Sequence, residues 1–124
     1  MRLFFALWPG EAERGALFAQ AQAMQADAGG RLTRAAKLHM TLVFLGDVER
    51  RRLAELERIG CGAGAGAGAF TLRLGKSGYW PRQKIGWAAP QSVPAALQRL
   101  VCALEAGLRA AGFQLADRVW RPHV

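Results

Sequence analysis

Short apolar stretches alternate with longer helix-forming segments along this chain, and this order constrains its fold most. Apolar runs and period-two alternation predict strands over residues 3–7, 37–45, 70–74 and 85–89, and a short strand or extended segment over residues 113–115. Segments with one apolar side, each followed by a glycine, predict helices from about 11 to 28, 48 to 59 and 93 to 111. The resulting order, β-α-β-α-β-β-α-β, favours an α+β fold in which helices pack outside antiparallel sheets. A chain of 124 residues is expected to form one domain over residues 1–124.

Composition narrows the class of protein. The chain is 52% hydrophobic and 21% charged, which is typical of a soluble globular protein. Its apolar runs are far shorter than the roughly 18 residues that indicate a membrane span. Trp8 and Pro9 interrupt the N-terminal apolar stretch, and the acidic residues Glu11 and Glu13 follow them. We therefore expect a first strand rather than a signal peptide, no membrane partner, and a cytoplasmic protein.

The positive charge is unevenly spread. The formal net charge is +8, and residues 59–124 carry eight Lys or Arg against two Asp or Glu. A basic half indicates a polyanionic partner, and nucleic acid is favoured over an anionic membrane because no basic amphipathic helix stands out. The alternative to a polyanionic partner is an ordinary arginine-rich surface that binds none.

Several motif classes are not found in the sequence. Neither GxGxxG nor GxxxxGK[ST] follows a predicted strand, which argues against a nucleotide-binding parallel sheet. The two cysteines, Cys61 and Cys102, form no CxxC pair and have no histidine at metal-ligand spacing. We therefore expect reduced thiols, no disulfide scaffold and no metal site.

Turn and cap residues predict the connections. The alternating glycines and alanines of residues 62–69 are low in complexity and predict a loop. Residues 75–83, which include Tyr79 and Trp80, predict a turn-rich stretch. Asp47 and Ser92 are candidate N-caps for the second and third helices. The third helix is expected to bury an apolar stripe of Leu97, Leu100, Val101, Leu104 and Leu108.

The segment Leu38-His39-Met40-Thr41-Leu42-Val43-Phe44-Leu45-Gly46 carries the first candidate site. Successive side chains of a strand point to opposite faces, so Leu38, Met40, Leu42 and Phe44 are expected on the core face. His39 and Thr41 then share the other face, about 7 Å apart along the strand. An imidazole can transfer a proton near neutral pH, and a hydroxyl can donate to a phosphate oxygen. An ordinary surface histidine remains the alternative.

The second histidine, His123, stands in the final segment Arg121-Pro122-His123-Val124. If this segment is a strand, the residue after Val124 would share a face with His123. That is the position at which a second threonine would repeat the pattern of His39 and Thr41.

These motifs resemble those of the 2H phosphoesterase superfamily, specifically the bacterial RNA 2',3'-cyclic phosphodiesterases, also called 2'-5' RNA ligases. Their hallmark is two HxTx motifs in one chain. The opening strand Arg2–Leu7, the segment Leu38–Gly46, the turn Gly78–Trp80 and the final segment Arg121–Val124 follow the family order. The resemblance implies two similar lobes that flank a groove, with one motif in each lobe.

The resemblance also implies what this chain lacks. The second motif stops before its threonine, and we expect the C-terminal strands of the family to be absent, so that the fold is incomplete at the C-terminus. We accordingly expect the family activity in the parent protein and a weaker activity in the 124-residue chain alone. A monomer is expected at full length.

By resemblance, the expected reaction is hydrolysis of RNA 2',3'-cyclic phosphate ends to 2'-phosphomonoesters. His39 would be the general acid, His123 the general base, and Thr41 a phosphate-binding residue. Two histidines can carry both protons, so no cofactor is expected. The resemblance implies more firmly that the two histidines act as a pair than which of them is the acid.

Candidate RNA-contacting residues are Arg121, Arg82, Lys84 and Trp80, because cations neutralise phosphates and an indole can stack on a base. Alternatively, Trp80 could pack at the edge of the core, and Arg82 and Lys84 could be ordinary solvated turn residues. The remaining tryptophans are expected in the core. Two other functions stay open: an RNA-binding module without turnover, and a phosphodiesterase for small cyclic nucleotides.

Overall fold

The computed structural model describes residues 1–80, 85–115 and 120–124, with only the backbone of Asp27 and Ala28. Seven main elements follow one another in the described residues, with 3-10 turns at Ala35–Lys37 and Arg50–Arg52. These elements are β1 (Arg2–Leu7), α1 (Glu11–Ala28), β2 (Met40–Asp47), α2 (Leu53–Ala67), β3 (Lys76–Trp80), β4 (Ile85–Ala89) and α3 (Ala95–Ala110). Strand β1 pairs with β2 and β3 pairs with β4, both antiparallel, so the α+β class with antiparallel sheets is confirmed.

The helices are divided between the two sheets. Helices α2 and α3 pack on each other and α3 contacts β2, whereas α1 contacts β4. The buried core contains side chains from β2, α2 and α3, and partly buried residues of β1 pack against it. Each sheet is therefore packed against a helical layer. This packing removes the apolar face of the sheet from water.

The apolar stripe predicted for the third helix is confirmed. All five of its members are buried, and Leu97 and Leu108 are completely inaccessible to solvent. Gly112 follows the helix with φ of 89°, a conformation that glycine adopts without strain. The predicted cap is wrong, since Pro94 rather than Ser92 precedes the first helical residue.

The loop predicted for the glycine-alanine segment is also wrong over most of its length. Helix α2 continues through Gly60 to Ala67, and its N-cap is Arg52 rather than Asp47, which ends β2. Ala63 and Ala67 lie one helical turn apart and are both buried in the core shared with α3. Tertiary packing of this small-residue face thus outweighs the poor helix propensity of glycine.

Two bulges in β2 alter the predicted alternation of side chains. Leu3 pairs with Gly46 and Phe4 with Phe44, and Phe5 pairs with Val43 and Ala6 with Thr41, so Leu45 and Leu42 are the extra residues. Met40 and Leu42 are buried as predicted, and Val43 is buried as well. Phe44 is 43% exposed, contrary to its predicted core position, because the bulge at Leu42 reverses the order of faces.

The third strand lies later in the sequence than predicted. Phe70, Leu72 and Leu74 are half-buried against the core, with exposed Thr71 and Arg73 between them, but within the described residues this segment pairs with no strand. Strand β3 instead occupies Lys76–Trp80, where the sequence predicts a turn. Of the two alternatives for residues 113–115, a short strand or an extended segment, the structure has no strand there. Gly78 faces Trp87 across the β3–β4 pair, and the indole occupies the space a side chain at Gly78 would need.

Three further observations concern the cysteines, metal binding and membrane insertion. Cys61 and Cys102 are free and exposed. The side chains that the structure describes contain no group of three or more His, Cys, Asp or Glu that could hold a metal ion. None of the helices described is both long enough and apolar enough to cross a membrane.

Candidate active site

His39 lies immediately before β2 and is held at both ring nitrogens. The preceding 3-10 turn places the carbonyl oxygen of Lys37 at 2.8 Å from Nδ1 of His39. Because a carbonyl oxygen can only accept, Nδ1 carries the proton and donates it. The other nitrogen, Nε2, lies 3.1 Å from Oγ1 of Thr41. In a neutral ring Nε2 is then the basic nitrogen, and it accepts a hydrogen bond from the hydroxyl.

Two aromatic rings flank the imidazole of His39. Phe4 of β1 and Trp8, just after β1, have ring centroids 5.0 and 4.9 Å from that of His39, both tilted by 32°. Phe4 is 41% exposed and Trp8 54% exposed, so they border His39 without burying it. This contact limits rotation of the imidazole and leaves an aromatic surface beside it.

His123 has the same local arrangement as His39. Its Nδ1 donates to the carbonyl oxygen of Arg121, two residues earlier, at 2.7 Å. The backbone groups of Val124 and Ala88 exchange hydrogen bonds of 2.7 and 3.2 Å, which attach the final segment to β4 as an antiparallel neighbour. Trp80 meets the His123 ring edge-on, with centroids 4.7 Å apart.

Trp120 connects the two histidine segments. Its indole Nε1 donates to the backbone carbonyl of Thr41 at 3.1 Å, across 79 positions of sequence. Thr41 lies two residues after His39, and Trp120 lies three residues before His123. One hydrogen bond therefore ties the start of β2 to the segment that carries the second histidine.

Both histidines border one groove of about 610 Å³. Its walls are formed by one side of α1 and the following loop, by the segment around His39, by β3–β4, and by the end of the described chain. The polar and charged residues among its lining are Gln20, Gln25, Arg31, Thr33, Lys37, His39, Thr41, Tyr79 and His123. The lining residues in the described part of the chain include no Asp or Glu. The groove is therefore lined by two imidazoles and two cationic residues, a combination suited to an anion.

A smaller cavity of about 280 Å³ lies on another side of His123. Trp80 and Arg121 line it, together with Trp87 and Trp120. Trp80 is half-buried between Trp87, with centroids 5.6 Å apart, and His123. The structure thus brings His39, Thr41 and His123 to the groove. Trp80 and Arg121 line the smaller cavity instead. The other two predicted RNA contacts, Arg82 and Lys84, lie outside the described residues.

Sequence reasoning missed several neighbours of this site. Lys37 supplies the carbonyl that fixes His39 and lines the groove, and Leu38, expected in the core, lines the groove as well. Trp8 and Trp120 were assigned to the core, but they contact His39 and Thr41. The sequence contains one indication of the role of Lys37, because Lys37 and Arg121 each precede a histidine by two residues.

The comparisons with known proteins concern the family and the fold. A family model described as LigT-like phosphoesterase matches residues 7–87. The RNA 2',3'-cyclic phosphodiesterase of Escherichia coli K12 is 32% identical over 124 residues, which span 99% of this chain and 69% of that protein. Crystal structures of E. coli LigT, in apo form and complexed with 3'-AMP, both match with a TM-score of 0.76 and 29% identity. These matches cover 98% of this chain and 68% and 69% of the LigT chains.

The family model covers well over half of the chain, and the match to the solved structures extends over nearly its whole length. The described residues form two antiparallel sheets and three helices. The chain belongs to the LigT-like, or 2H, phosphoesterase family and is a phosphoesterase.

Proposed function

We propose that the protein hydrolyses 2',3'-cyclic phosphate ends of RNA to 2'-phosphomonoesters, with His39 and His123 as the proton carriers. The observation that supports this most is that the two imidazoles border one groove and have the same hydrogen bond at Nδ1. With Nδ1 occupied, Nε2 of each ring is the nitrogen that can exchange a proton with a substrate. The RNA 2',3'-cyclic phosphodiesterase of E. coli, by its name, acts on this kind of bond.

The reaction needs one proton taken up and one delivered. Nε2 of His123 accepts a proton from water as the water oxygen bonds to phosphorus. The bond between phosphorus and O3' breaks, and Nε2 of protonated His39 gives its proton to O3'. The products are a 2'-phosphomonoester and a free 3'-hydroxyl, and the two histidines have exchanged protonation states. Such general acid–base assistance typically contributes on the order of 10²–10⁴-fold.

Thr41 supports the same step as a donor to the phosphate. Its hydroxyl lies beside Nε2 of His39, so a phosphoryl oxygen placed near that nitrogen is also within reach of the hydroxyl. Donors already oriented toward developing charge lower a barrier without reorganising. The hydrogen bond from Trp120 to the Thr41 carbonyl keeps this residue fixed relative to the His123 segment.

RNA is the substrate that the charge of the chain favours. The net charge is +8, and E. coli LigT has been crystallised with 3'-AMP, a nucleotide. Arg121, Arg82 and Lys84 are proposed as phosphate contacts and Trp80 as a base contact. A single domain, a cytoplasmic location and a monomeric full-length protein stay predictions from the sequence.

The test is product identity. An RNA oligonucleotide ending in 2',3'-cyclic phosphate is incubated with the protein, and the product end is assigned by ³¹P NMR. We expect a 2'-phosphomonoester in the wild type and no product with the variant His39→Ala/His123→Ala. A 3'-phosphate product would contradict the assigned direction of cleavage, and binding of the RNA without any turnover would favour the RNA-binding module.

A further inference from the structure

Lys37 contributes to the groove with its side chain as well as with its backbone. It ends the 3-10 turn Ala35–Lys37, and its N–H donates to the carbonyl of Arg34 at 2.9 Å. Its own carbonyl accepts from Nδ1 of His39. The side chain is exposed and lines the groove. The backbone of Lys37 is therefore fixed two residues from a proposed catalytic imidazole, and its side chain brings a positive charge to the groove.

Arg31 brings a second cation to the same groove from the loop after α1. The side-chain amide of Gln25 donates to the carbonyl of Gly30 at 2.9 Å, which fixes the turn that precedes Arg31. Gly29 and Gly30 both have positive φ, 74° and 91°, a backbone conformation that glycine adopts without strain, and α1 ends there. Arg31 is exposed, lines the groove, and stands six positions before Lys37.

The charges around these two residues favour an anion. The groove lining in the described part of the chain contains Arg31 and Lys37 and no carboxylate. The ion pairs found among the described side chains belong to Arg51 and Arg52, which lie elsewhere. Cations that face an acid-free groove attract phosphate groups, and neutralising them releases counterions.

The groove also extends beyond the two histidines. Its walls run along α1 from Leu17 to Gln25 and along β3–β4, where exposed Tyr79 and Ile85 border it. One cyclic phosphate between His39 and His123 would leave the part near Arg31 and the exposed Tyr79 ring without a ligand. An RNA chain continues from the cyclic end through its next phosphodiester, whereas a mononucleotide does not.

We infer that Arg31 and Lys37 form a second phosphate-binding site, which holds the phosphodiester preceding the cyclic phosphate and makes oligonucleotides better substrates than cyclic mononucleotides. This inference rests on the proposed function, because it takes the two histidines as the place of the cyclic phosphate. It assigns to Lys37 two roles: its backbone orients His39, and its side chain binds the substrate.

The experiment compares two substrates with the same 3'-terminal nucleotide, a nucleoside 2',3'-cyclic monophosphate and a hexanucleotide with a 2',3'-cyclic end. The variants are Arg31→Gln, Lys37→Gln and the double variant, which remove charge and keep the aliphatic stems. Arg34→Gln is the matched control, since Arg34 is exposed in the same loop but does not line the groove.

We expect the wild type to have the higher kcat/KM on the hexanucleotide. Each single variant should lower the hexanucleotide-to-mononucleotide ratio of kcat/KM about two- to fivefold, as exposed charge contacts usually do. The loss should appear in KM rather than kcat, because a remote phosphate is bound equally before and during reaction. Arg34→Gln should leave the ratio unchanged. An unchanged ratio in the double variant, or equal losses on both substrates, would overturn the inference.

A binding measurement separates this inference from the proposed function. If the wild type cleaves neither substrate, the proposed function fails, and the affinity for a hexanucleotide ending in a 2'-phosphate is measured against salt concentration. The slope of log K against log salt should then become shallower by about 0.7 for each cation removed. A slope that is the same in the wild type and the double variant would eliminate the second phosphate site as well.

Discussion

Nε2 of His39 lies 3.1 Å from the hydroxyl oxygen of Thr41, while Nδ1 of the same ring donates to the carbonyl of Lys37. The hydroxyl can donate to the neutral ring, and it can accept from the ring once Nε2 is protonated. It therefore holds the imidazole in place in both protonation states. When a phosphate enters, the same hydroxyl can turn toward a phosphoryl oxygen, which frees Nε2 for the leaving group.

This relationship predicts the effect of changing Thr41. Thr41→Val keeps the β-branched shape suited to a strand and removes only the hydroxyl. Loss of one oriented donor to the phosphate should lower kcat by about 10²-fold. Thr41→Ser, which retains the hydroxyl, should recover most of the activity, and steady-state kinetics on a cyclic-phosphate RNA measures both. Similar kinetics for the valine variant and the wild type would mean that Thr41 does not act on the phosphate.

The two histidines are expected to act on rate and not on affinity. His39→Ala and His123→Ala should each lower kcat on the order of 10²–10⁴-fold, because proton transfer stabilises only the transition state. The affinity for a 2'-phosphate product RNA should change little, since cations supply most of the binding. Stopped assays and fluorescence titration of the same samples measure the two quantities. A variant that retains near-wild-type turnover would refute the paired mechanism.

The candidate site could be predicted from the sequence because its chemistry lies in short local patterns. His39 and Thr41 are two residues apart at the start of β2, and both line the groove, as extended backbone with this spacing predicts. The hydrogen bond from Trp120 to Thr41 could not be predicted, because it joins residues 79 positions apart whose proximity only the fold determines. Lys37 was missed for another reason: its carbonyl acts on His39, and a sequence motif does not represent backbone groups.

What the sequence could and could not predict of the fold also has physical reasons. The stripe of α3 repeats at helical spacing with large side chains, so its burial was predicted residue by residue. The continuation of α2 was missed because glycine is a poor helix former, although Leu56, Ile59, Ala63 and Ala67 follow helical spacing. The bulges of β2 were missed because register depends on the partner strand, which sequence periodicity does not contain.

Arg52 and Glu55 predict a pH effect on stability. The Arg52 guanidinium donates to both carboxylate oxygens of Glu55, at 3.1 and 3.2 Å, and to the carbonyl of Ala111 at 2.9 Å. The hydrogen bond from Arg52 lowers the pKa of the Glu55 carboxyl in the folded protein below its usual 4.5, and the charges of Arg52 and Arg58 lower it further. A lowered folded-state pKa means that this stabilisation is present above pH 4.5 and is lost as the pH falls through the lowered pKa.

The variant Glu55→Gln tests that pH dependence. The difference in unfolding free energy between wild type and Glu55→Gln should be largest near neutral pH and should shrink on acidification, measured by urea unfolding across the acid range. The same substitution in an Arg52→Gln background should no longer produce this pH-dependent difference, because the partner is gone. A difference that stays constant with pH in the wild-type background would show that the pair does not couple to folding.

The glycines of α2 allow a test of the helix that the sequence did not predict. Gly62, Gly64 and Gly66 are exposed, and a Cβ added at any of them would meet no atom within 4 Å. Replacing one of them by alanine should raise the free energy of unfolding by about 0.5–1 kcal/mol, because glycine loses the most backbone freedom in a helix. Gly60→Ala is the contrasting variant, since its Cβ would lie 2.8 Å from a ring carbon of Phe5 and force β1 and α2 apart. It should gain nothing or destabilise, and urea unfolding measures all four variants.

Alanine alone does not separate a helix from a loop, because it also restricts the unfolded chain and can stabilise either by a similar amount. Gly64→Pro does separate them. In a helix interior, proline removes a hydrogen bond and clashes with the preceding turn, which costs about 3 kcal/mol. Ala63 and Ala67 pack in the core on either side of this position, so a break there would also disturb contacts with α3. We therefore expect Gly64→Pro to unfold at markedly lower urea concentration and with less helical circular dichroism. Equal stability of Gly64→Pro and the wild type would mean that residues 62–67 are a loop.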